Sequence, residues 1–234
     1  MKRRIRNLVA QRTQMLAAVA HDMRTYMTRL RLRSEFIDDP DQREKAQNDI
    51  EEMARLLDDT LLFAQVTRGP NRIELIDIGD TVDVLIDEQG WSREAVRLLH
   101  DGPAPFLGSR QAVERIMANL VANALRYGAP PVEITVETTS DLITITVVDH
   151  GPGIPPERLT AVLDPFERLE PSRGRESGGA GLGLAIVHAL AGAQGARLEL
   201  DNSKYGGLRV RVWLPVAFDS TTKTSKSPAG AASA

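Results

Sequence analysis

The segment His21-Asp22-Met23-Arg24-Thr25 places an imidazole next to a carboxylate, with a hydroxyl four residues after the histidine. A neutral imidazole nitrogen can attack a γ-phosphate if the other ring nitrogen is held. Asp22 can accept the Nδ1 proton, which fixes the tautomer and leaves Nε2 as the nucleophile. On a helix, Thr25 lies one turn along on nearly the same face, where its hydroxyl could orient a water. Taken alone, such a pair is more often two solvated surface residues.

Two asparagines, Asn119 and Asn123, are four residues apart and are followed by Arg126 and Tyr127. On a helix the two amide side chains share one face. Mg²⁺ accepts hard oxygen ligands and usually keeps waters and phosphate oxygens as well, so one asparagine can complete a site that a nucleotide mostly builds. A polar stripe on an amphipathic helix is the alternative interpretation.

Two glycine clusters accompany the asparagines. Asp149-x-Gly151-x-Gly153 follows an apolar stretch, where glycines permit sharp turns close to a ligand and the carboxylate can accept from an adenine amino group. The second cluster, from Gly178 to Gly183, precedes a predicted helix, so free N–H groups at the helix start would face phosphates. Either pattern alone is also typical of a turn.

The N-terminal part of the chain predicts two antiparallel helices. Ile5 to about Phe36 contains no glycine or proline and has apolar residues at three- and four-residue steps. Pro40 suits the first position of a second helix, which we predict from about Asp41 to Gln65. A two-helix hairpin cannot cover both of its apolar stripes, so we expect a homodimer with a four-helix bundle.

The segment Thr67–Asn71 breaks the helical pattern and predicts a domain boundary. Beyond it, strands and helices alternate, and two short turns suit antiparallel pairing, which together indicate an α/β sandwich with helices on one face. The predicted strands are Arg72–Ile76, Val96–His100, Val132–Glu137, Leu142–Val148, Arg197–Leu200 and Leu208–Leu214, and the predicted helices are Ile78–Glu88, Ser109–Tyr127 and Leu182–Gln194. Ser220–Ala234 has no periodicity, so we expect it to be disordered.

Composition excludes several functional classes. With 26% charged residues and a formal net charge of -3, the chain lacks the basic balance typical of nucleic-acid partners. The absence of cysteine excludes disulfides, thiol nucleophiles and cysteine metal sites. No apolar run approaches the roughly 20 residues of a membrane span, so we expect a soluble, cytoplasmic chain. His100, His150 and His188 have no zinc-ligand spacing and are expected to be structural.

Taken together, the motifs resemble those of sensor histidine kinases of the HisKA type. His21–Leu30 is similar to the H-box, Asn119–Asn123 to the N-box, Asp149–Gly153 and Gly179–Gly183 to the two glycine boxes, and Asp164–Arg168 to the F-box. The resemblance spans Ile5 to about Pro215. It implies an α+β multidomain fold, in which a helical-hairpin dimerisation domain, a four-helix bundle in the dimer, is joined to an α/β-sandwich ATP-binding domain of the GHKL class.

The resemblance also implies domain limits. Residues 1–14 would end a HAMP-like signalling helix, residues 15–68 would form the dimerisation and phosphoacceptor domain, residues 69–218 the catalytic domain, and residues 219–234 a disordered tail. In the family such a signalling helix comes down from a membrane segment. We therefore expect a full-length protein in the bacterial inner membrane, with membrane contact only through segments absent from this chain.

The activity implied is autophosphorylation of His21 from ATP, followed by transfer to an aspartate of a response regulator receiver domain. By the same resemblance, Asp22 is the acid/base partner of His21, and Thr25 serves in dephosphorylation of the regulator. Asn123, with Asn119, is assigned to magnesium and phosphate. The remaining nucleotide residues are assigned as Arg126 and Tyr127 to phosphate or ribose, Asp149 to adenine, Gly151, Gly153, Gly179, Gly181, Leu182 and Gly183 to the loops, Phe166 to anchoring the lid over 152–180, and Arg168 to the γ-phosphate.

One residue departs from the family pattern. Tyr26 stands where the family usually has proline, which would remove a backbone hydrogen bond and kink the helix just past the histidine. Tyr26 should straighten that helix. Our hypothesis is that it alters the balance between kinase and phosphatase conformations.

Two other functions are compatible with parts of the pattern. A fold-related ATPase, with His21 incidental, would need a glutamate base on the asparagine helix, and Glu114 is more than a turn from Asn119. A non-catalytic dimeric adaptor would have a degenerate nucleotide site. The intact Asn123 and Asp149 argue against that degeneracy.

Overall fold

A computed structural model describes residues 19–66, 72–167, 181–204 and 206–217, with side chains of the first range described through residue 61. The predicted helix start before residue 19, the linker at 67–71, most of the lid and the tail lie outside these ranges. Two helices open the described chain: α1, helical over residues 19–34, and α2, Pro40–Val66. The predicted hairpin is therefore present in the described residues.

The turn between α1 and α2 follows from its sequence. Asp39 Oδ1 accepts the backbone N–H of Asp41 at 2.9 Å and that of Gln42 at 3.3 Å, and Pro40 is the first helical residue. The carboxylate thus satisfies donors that the helix start leaves free, while proline has no N–H to satisfy.

Side chains fix the antiparallel register of the hairpin. Arg24 Nη2 lies 2.6 Å from Asp58 Oδ1, and Gln47 Nε2 donates to Glu35 Oε1 at 3.1 Å. The hairpin also exposes large apolar side chains. They are Val19, Met23, Tyr26, Leu30, Leu32, Phe36, Met53 and Leu56.

The second part of the chain contains two sheets. The larger has the order β2-β4-β5-β7-β6, in which β2 and β4 pair in parallel and the other pairs are antiparallel. The strands are β1, Glu74–Asp77; β2, Val96–His100; β3, Pro105–Gly108; β4, Val132–Thr138; β5, Leu142–Val148; β6, Arg197–Asn202; and β7, Leu208–Pro215. The helices between them are α3, Ile78–Glu88; α4, Arg110–Tyr127; and α5, Gly183–Ala193, with short 3-10 turns at Pro156–Arg158 and Ala161–Leu163.

Strand β3 was not predicted. It pairs only with β1, as a two-stranded antiparallel sheet. Four residues that begin with proline and end with glycine carry almost no strand pattern, and the partner strand lies about thirty residues earlier in the chain. Pairing at that distance is not visible as local periodicity.

The core forms because successive side chains of a strand point to opposite faces of the sheet, so every second side chain packs under the helices. Ile134, Ile145 and Val212 are 0–1% exposed and belong to one cluster with Ile116 and Ile186 of α4 and α5. Burial of alternate residues on an antiparallel sheet is typical of a sheet covered on one face. None of the described helices is long and apolar enough to cross a membrane.

Candidate active site

A pocket of about 1450 Å³ lies beside α4, at the ends of β5 and β7 and at the start of α5. The structure brings together most of the predicted nucleotide residues in its wall. These are Asn119, Asn123, Arg126, Tyr127, Asp149, Gly153, Gly181, Leu182 and Gly183. Residues separated by up to 64 positions in the sequence therefore share one cavity.

Asp149 is the buried carboxylate of this pocket, with 6% of its surface exposed. Its Oδ1 accepts the backbone N–H of Gly151 at 2.8 Å and that of Leu208 at 3.2 Å. Both bonds use the same oxygen, so Oδ2 keeps capacity to accept from a ligand. A buried carboxylate needs such donors because desolvation otherwise penalises its charge.

Glycines allow the backbone to approach Asp149 closely. A Cβ on Gly207, whose φ is +83°, would lie 1.8 Å from the Asp149 carbonyl oxygen, and a Cβ on Gly128 would lie 2.4 Å from Asp149 Cγ. Neither position has room for a side chain. Neither Gly128 nor Gly207 belongs to the two glycine clusters, so no sequence motif predicted their role.

The asparagine face of α4 contacts the start of α5. A Cβ on Gly183 would lie 3.0 Å from Asn123 Nδ2 and 3.4 Å from Asn119 Oδ1. Asn119 Nδ2 donates to the Arg115 carbonyl at 2.8 Å, which leaves the Asn119 amide oxygen for other donors or a cation. The second glycine cluster and the asparagines thus form one continuous wall.

Asn202 was missed by the sequence analysis. It ends β6, and its Oδ1 accepts the N–H of Ile154 at 2.9 Å while its Nδ2 donates to the Ile154 carbonyl at 2.7 Å. A Cβ on Gly153 would lie 2.6 Å from Asn202 Oδ1. Asn202 therefore fixes the loop that follows Asp149. The one feature of the sequence that could have indicated this role is an asparagine at the end of a strand.

Phe166 is the last residue but one of the described range 72–167, and the next described range begins at Gly181 of the second glycine cluster. Its φ is +67°, it is 64% exposed, and its N–H donates to the Gly181 carbonyl at 3.0 Å. Nearby, Arg158 Nη2 lies 2.6 Å from Glu167 Oε1. Arg168 and Gly179, two predicted site residues, lie outside the described residues.

His21 lies on the exposed side of α1. Its Nδ1 is 3.5 Å from Asp22 Oδ1, and the two side chains are 81% and 75% exposed. Thr25 Oγ1 donates to the His21 carbonyl at 3.3 Å, one helical turn back. Tyr26 is exposed and its ring centroid lies 5.9 Å from Arg29 Cζ. The imidazole, carboxylate and hydroxyl thus share one accessible surface.

The structure does not bring His21 to the nucleotide pocket. Among the described residues, the hairpin contributes only α2 residues to the pocket wall: Glu52, Arg55, Leu56, Asp58 and Asp59. Arg115 Nη2 of α4 lies 3.3 Å from Asp59 Oδ1 of α2. This contact joins residues 56 positions apart, and no local pattern in the sequence predicts it.

The pKa of Asp59, the carboxylate of this contact, is raised. Burial raises the pKa of Asp59 above its usual value of 3.8, and the charge of Arg115 opposes that rise. Neighbouring Asp58 raises the pKa further, while Arg55 lowers it. Desolvation therefore outweighs the attraction across this contact.

Two family models match the chain. The model described as "Histidine kinase-, DNA gyrase B-, and HSP90-like ATPase" matches residues 108–217, and the "His Kinase A (phospho-acceptor) domain" model matches residues 11–69. The two matches cover the pocket and the helical hairpin respectively.

Several known proteins are similar to the chain. The sensor protein RstB of Escherichia coli is 36% identical over 213 residues, covering 88% of this chain and 49% of RstB. The sensor histidine kinase CpxA of Escherichia coli is 32% identical over 222 residues, covering 91% of this chain and 49% of CpxA. The chain thus spans about half the length of the curated relatives it matches.

Solved structures agree with these matches. The NMR structure of the histidine kinase domain of the E. coli osmosensor EnvZ is 31% identical with a TM-score of 0.50, covering 66% of this chain and 95% of that domain. The histidine kinase AdeS of Acinetobacter baumannii, 24% identical, shares the fold with a TM-score of 0.62 over 84% of this chain and 98% of AdeS. With a phosphoacceptor hairpin and an ATPase-type pocket in one polypeptide, the chain belongs to the HisKA-type sensor histidine kinases.

Proposed function

We propose that the chain is the kinase core of a two-component sensor, which phosphorylates His21 from ATP and passes the phosphoryl group to an aspartate of a response regulator receiver domain. One observation carries the proposal. The same chain holds an exposed His21 beside Asp22 and a pocket whose wall combines Asn119, Asn123 and Asp149.

The donor set of the pocket fits a nucleotide triphosphate. Asp149 is held by two backbone N–H groups and offers its second oxygen to an adenine amino group. Gly183 opens α5 directly against Asn123, so backbone N–H groups at that helix start face the same space as the amide. Arg126 and Tyr127 also line the wall, where they would contact the phosphate or ribose part of the nucleotide.

Asn123, with Asn119 beside it, would hold Mg²⁺ together with phosphate oxygens. The fit rests on the amide pair, because both amides line the pocket and amide oxygens are hard ligands of the kind Mg²⁺ accepts. When bound, the ion supplies neutralisation of the charge on the transferring phosphoryl group.

In the reaction, His21 Nε2 forms the new bond to the γ-phosphorus. The bond from that phosphorus to the bridging oxygen breaks, and its electron pair leaves with ADP. Asp22, 3.5 Å from Nδ1, holds the ring proton and stabilises the charge that the imidazole gains. Phosphoryl transfer depends mainly on positioning and charge neutralisation, so this small set of groups is sufficient.

The hairpin supplies the partner surfaces in this proposal. Its exposed apolar side chains would be covered by a second copy, giving a homodimeric four-helix bundle. The regulator would dock near His21, where Thr25 could orient water for dephosphorylation of the regulator aspartate. We place this core in the cytoplasm of a protein whose further segments reach the bacterial inner membrane.

The direct test is labelling with γ-labelled ATP and Mg²⁺ in the intact chain, in His21→Ala and in His188→Ala. His188 is exposed on α5, outside the pocket wall, and serves as the matched control. We expect acid-labile label in the intact chain and in His188→Ala, and none in His21→Ala. Steady ATP hydrolysis that survives His21→Ala without protein label would instead indicate an ATPase. Nucleotide binding without hydrolysis or label would indicate an adaptor.

A further inference from the structure

The side-chain amide of Gln194 joins the end of α5 to the start of α4. Its Oε1 accepts the backbone N–H of Ser109 at 2.8 Å, across 85 positions of the sequence. Ser109 caps α4, because its Oγ accepts the N–H of Ala112 at 3.3 Å. Gln194 is the C-cap residue of α5. One hydrogen bond therefore connects the caps of two helices that both line the nucleotide pocket.

A glycine makes this close approach possible. Gly108 ends β3, and a Cβ there would lie 2.8 Å from Gln194 Oε1 and 2.1 Å from Phe106 Cε1. The glutamine thus occupies space that a side chain at position 108 would need. Ser109 is 5% exposed, so its N–H would be left unsatisfied if the glutamine oxygen were removed.

α4 and α5 are antiparallel and meet at both ends. At the end opposite to Gln194, a Cβ on Gly183 would lie 3.0 Å from Asn123 Nδ2. Between the two ends, Ile186 and Leu190 of α5 pack into the core. Apolar packing is non-directional, whereas a hydrogen bond has a narrow range of distance and angle. The bond from Ser109 to Gln194 therefore fixes the position of α5 along α4.

The position of α5 matters for the phosphates of the proposed nucleotide. Leu182 precedes the helix and provides no side-chain hydrogen bond to its first N–H groups. Such N–H groups have no acceptor within the helix and carry the positive end of its dipole. In the proposed function they face the phosphates beside Asn123. A displacement of α5 along its axis would move these donors relative to Asn123.

The side of the pocket proposed to receive adenine is held by other contacts. Asp149 Oδ1 accepts the N–H groups of Gly151 and Leu208, and neither residue belongs to α5. A displacement of α5 would therefore change the phosphate donors and leave the carboxylate in place.

We propose that Gln194 is a positioning residue for the phosphates of ATP, because its hydrogen bond with Ser109 fixes α5 along α4 and so holds the start of α5 against Asn123. Among the residues that the structure describes, Gln194 is not in the pocket wall, so it acts through α5 and not by contact with the nucleotide. This inference rests on the proposed function and deepens it.

Two substitutions of Gln194 separate the hydrogen bond from the bulk of the side chain. Gln194→Met has a similar length and loses the acceptor, whereas Gln194→Glu keeps an acceptor oxygen. Titration with a fluorescent ATP analogue measures affinity for ATP, and displacement of that analogue measures affinity for adenosine, which lacks phosphates. We expect Gln194→Met to bind ATP about two- to tenfold more weakly, as the loss of one hydrogen bond allows, with adenosine affinity unchanged. Gln194→Glu should bind ATP as the unsubstituted chain does.

Labelling of His21 gives a second measurement. In Gln194→Met, KM for ATP should rise by a similar factor, while the labelling rate at saturating ATP stays unchanged. Gln194→Asn shortens the side chain by one methylene, and it should shift the affinity for ATP in the same direction if the methionine variant does not fold.

Ser109→Ala is the matched control. It removes the cap bond to Ala112 but keeps the backbone N–H that Gln194 accepts. Loss of a cap destabilises a helix, so a merely structural effect would appear in this variant as well. We expect its ratio of ATP affinity to adenosine affinity to equal that of the unsubstituted chain. Circular dichroism and urea unfolding establish that each variant is folded.

The outcomes distinguish this inference from the function on which it rests. Unchanged ATP affinity in folded Gln194→Met would overturn the role of Gln194. An equal loss of affinity for ATP and adenosine, or the same change of ratio in Ser109→Ala, would also overturn it. An unsubstituted chain that binds neither ligand would overturn the proposed function, and the role of Gln194 with it.

Discussion

The side-chain amide of Asn202 makes two hydrogen bonds with the backbone of Ile154. Its Oδ1 accepts the Ile154 N–H at 2.9 Å, and its Nδ2 donates to the Ile154 carbonyl at 2.7 Å. The two residues are 48 positions apart. This contact ties the end of β6 to the loop after Asp149, so the side of the pocket that is proposed to receive adenine depends on a residue outside every recognised motif.

Asn202→Ala should weaken nucleotide binding. Two hydrogen bonds of about 1 kcal/mol each are lost, so we expect affinity for ATP to fall by up to about thirtyfold as the loop loosens. Equilibrium titration with a fluorescent ATP analogue measures the change. Asn48→Ala, exposed on α2, is the control and should bind normally. Unchanged affinity in Asn202→Ala would show that the loop is held by other contacts.

Gly207→Ala should destabilise the nucleotide-binding domain. The positive φ of +83° alone costs an alanine about 1–3 kcal/mol, and the added Cβ would meet the Asp149 carbonyl at 1.8 Å. Urea unfolding measures the loss. Gly192→Ala has nothing within 4 Å of its Cβ and lies in α5, so stability there should be unchanged or rise by up to about 1 kcal/mol. Equal stability of the two variants would contradict the close approach of these backbones.

Asp59→Asn should leave the free energy of unfolding at neutral pH unchanged or raised. Burial raises the pKa of Asp59 above 3.8 despite Arg115 of α4, with Asp58 and Arg55 as its charged neighbours on α2. A raised carboxyl pKa means that the folded state binds a proton more tightly than the unfolded state, so the original chain gains stability as the pH falls through the folded pKa toward 3.8. The Asp59→Asn variant cannot gain this stability at low pH, because asparagine does not bind the proton. Chemical unfolding of both proteins from pH 7 to pH 4 measures the difference, and a variant that is less stable at pH 7 would show that the ion pair outweighs desolvation.

Tyr26→Pro should change the balance of the two activities proposed for the hairpin. Proline inside a helix costs about 3 kcal/mol and bends it, here five residues after His21. We expect the ratio of autophosphorylation to regulator dephosphorylation to shift by more than about threefold. Tyr26→Ala removes the ring and its contact with Arg29 but keeps the backbone N–H, so its ratio should stay unchanged. If both activities of Tyr26→Pro have the same rates as in the unsubstituted chain, the hypothesis is wrong.

Much of the fold was predictable because its signals are local. α2 begins at Pro40 beside a capping Asp39, and the strands β4 and β5 alternate clearly enough to predict their bounds to within one residue and their antiparallel pairing. Four residues of β3 were missed because its only partner, β1, is remote in sequence.

The site residues likewise differ in whether a local sequence pattern predicts them. The asparagines of α4 and the glycines before α5 have fixed spacings, so their shared pocket could be predicted from the sequence. Asn202 and the Asp59–Arg115 pair act through tertiary contacts across 48 and 56 positions, which no local spacing encodes. The left-handed backbone of Phe166 is likewise set by its bond to Gly181 and not by its residue type.

The contact between Gly183 and the asparagines has a thermodynamic consequence. α5 contacts the face of α4 that is proposed to receive the phosphates, and the same helix contacts α2. If separating α2 from α5 changes the affinity for ATP by some factor, ATP binding changes the equilibrium of that separation by the same factor, because such coupling is reciprocal. Nucleotide occupancy would then influence how firmly the helical hairpin is held against the domain that contains the pocket.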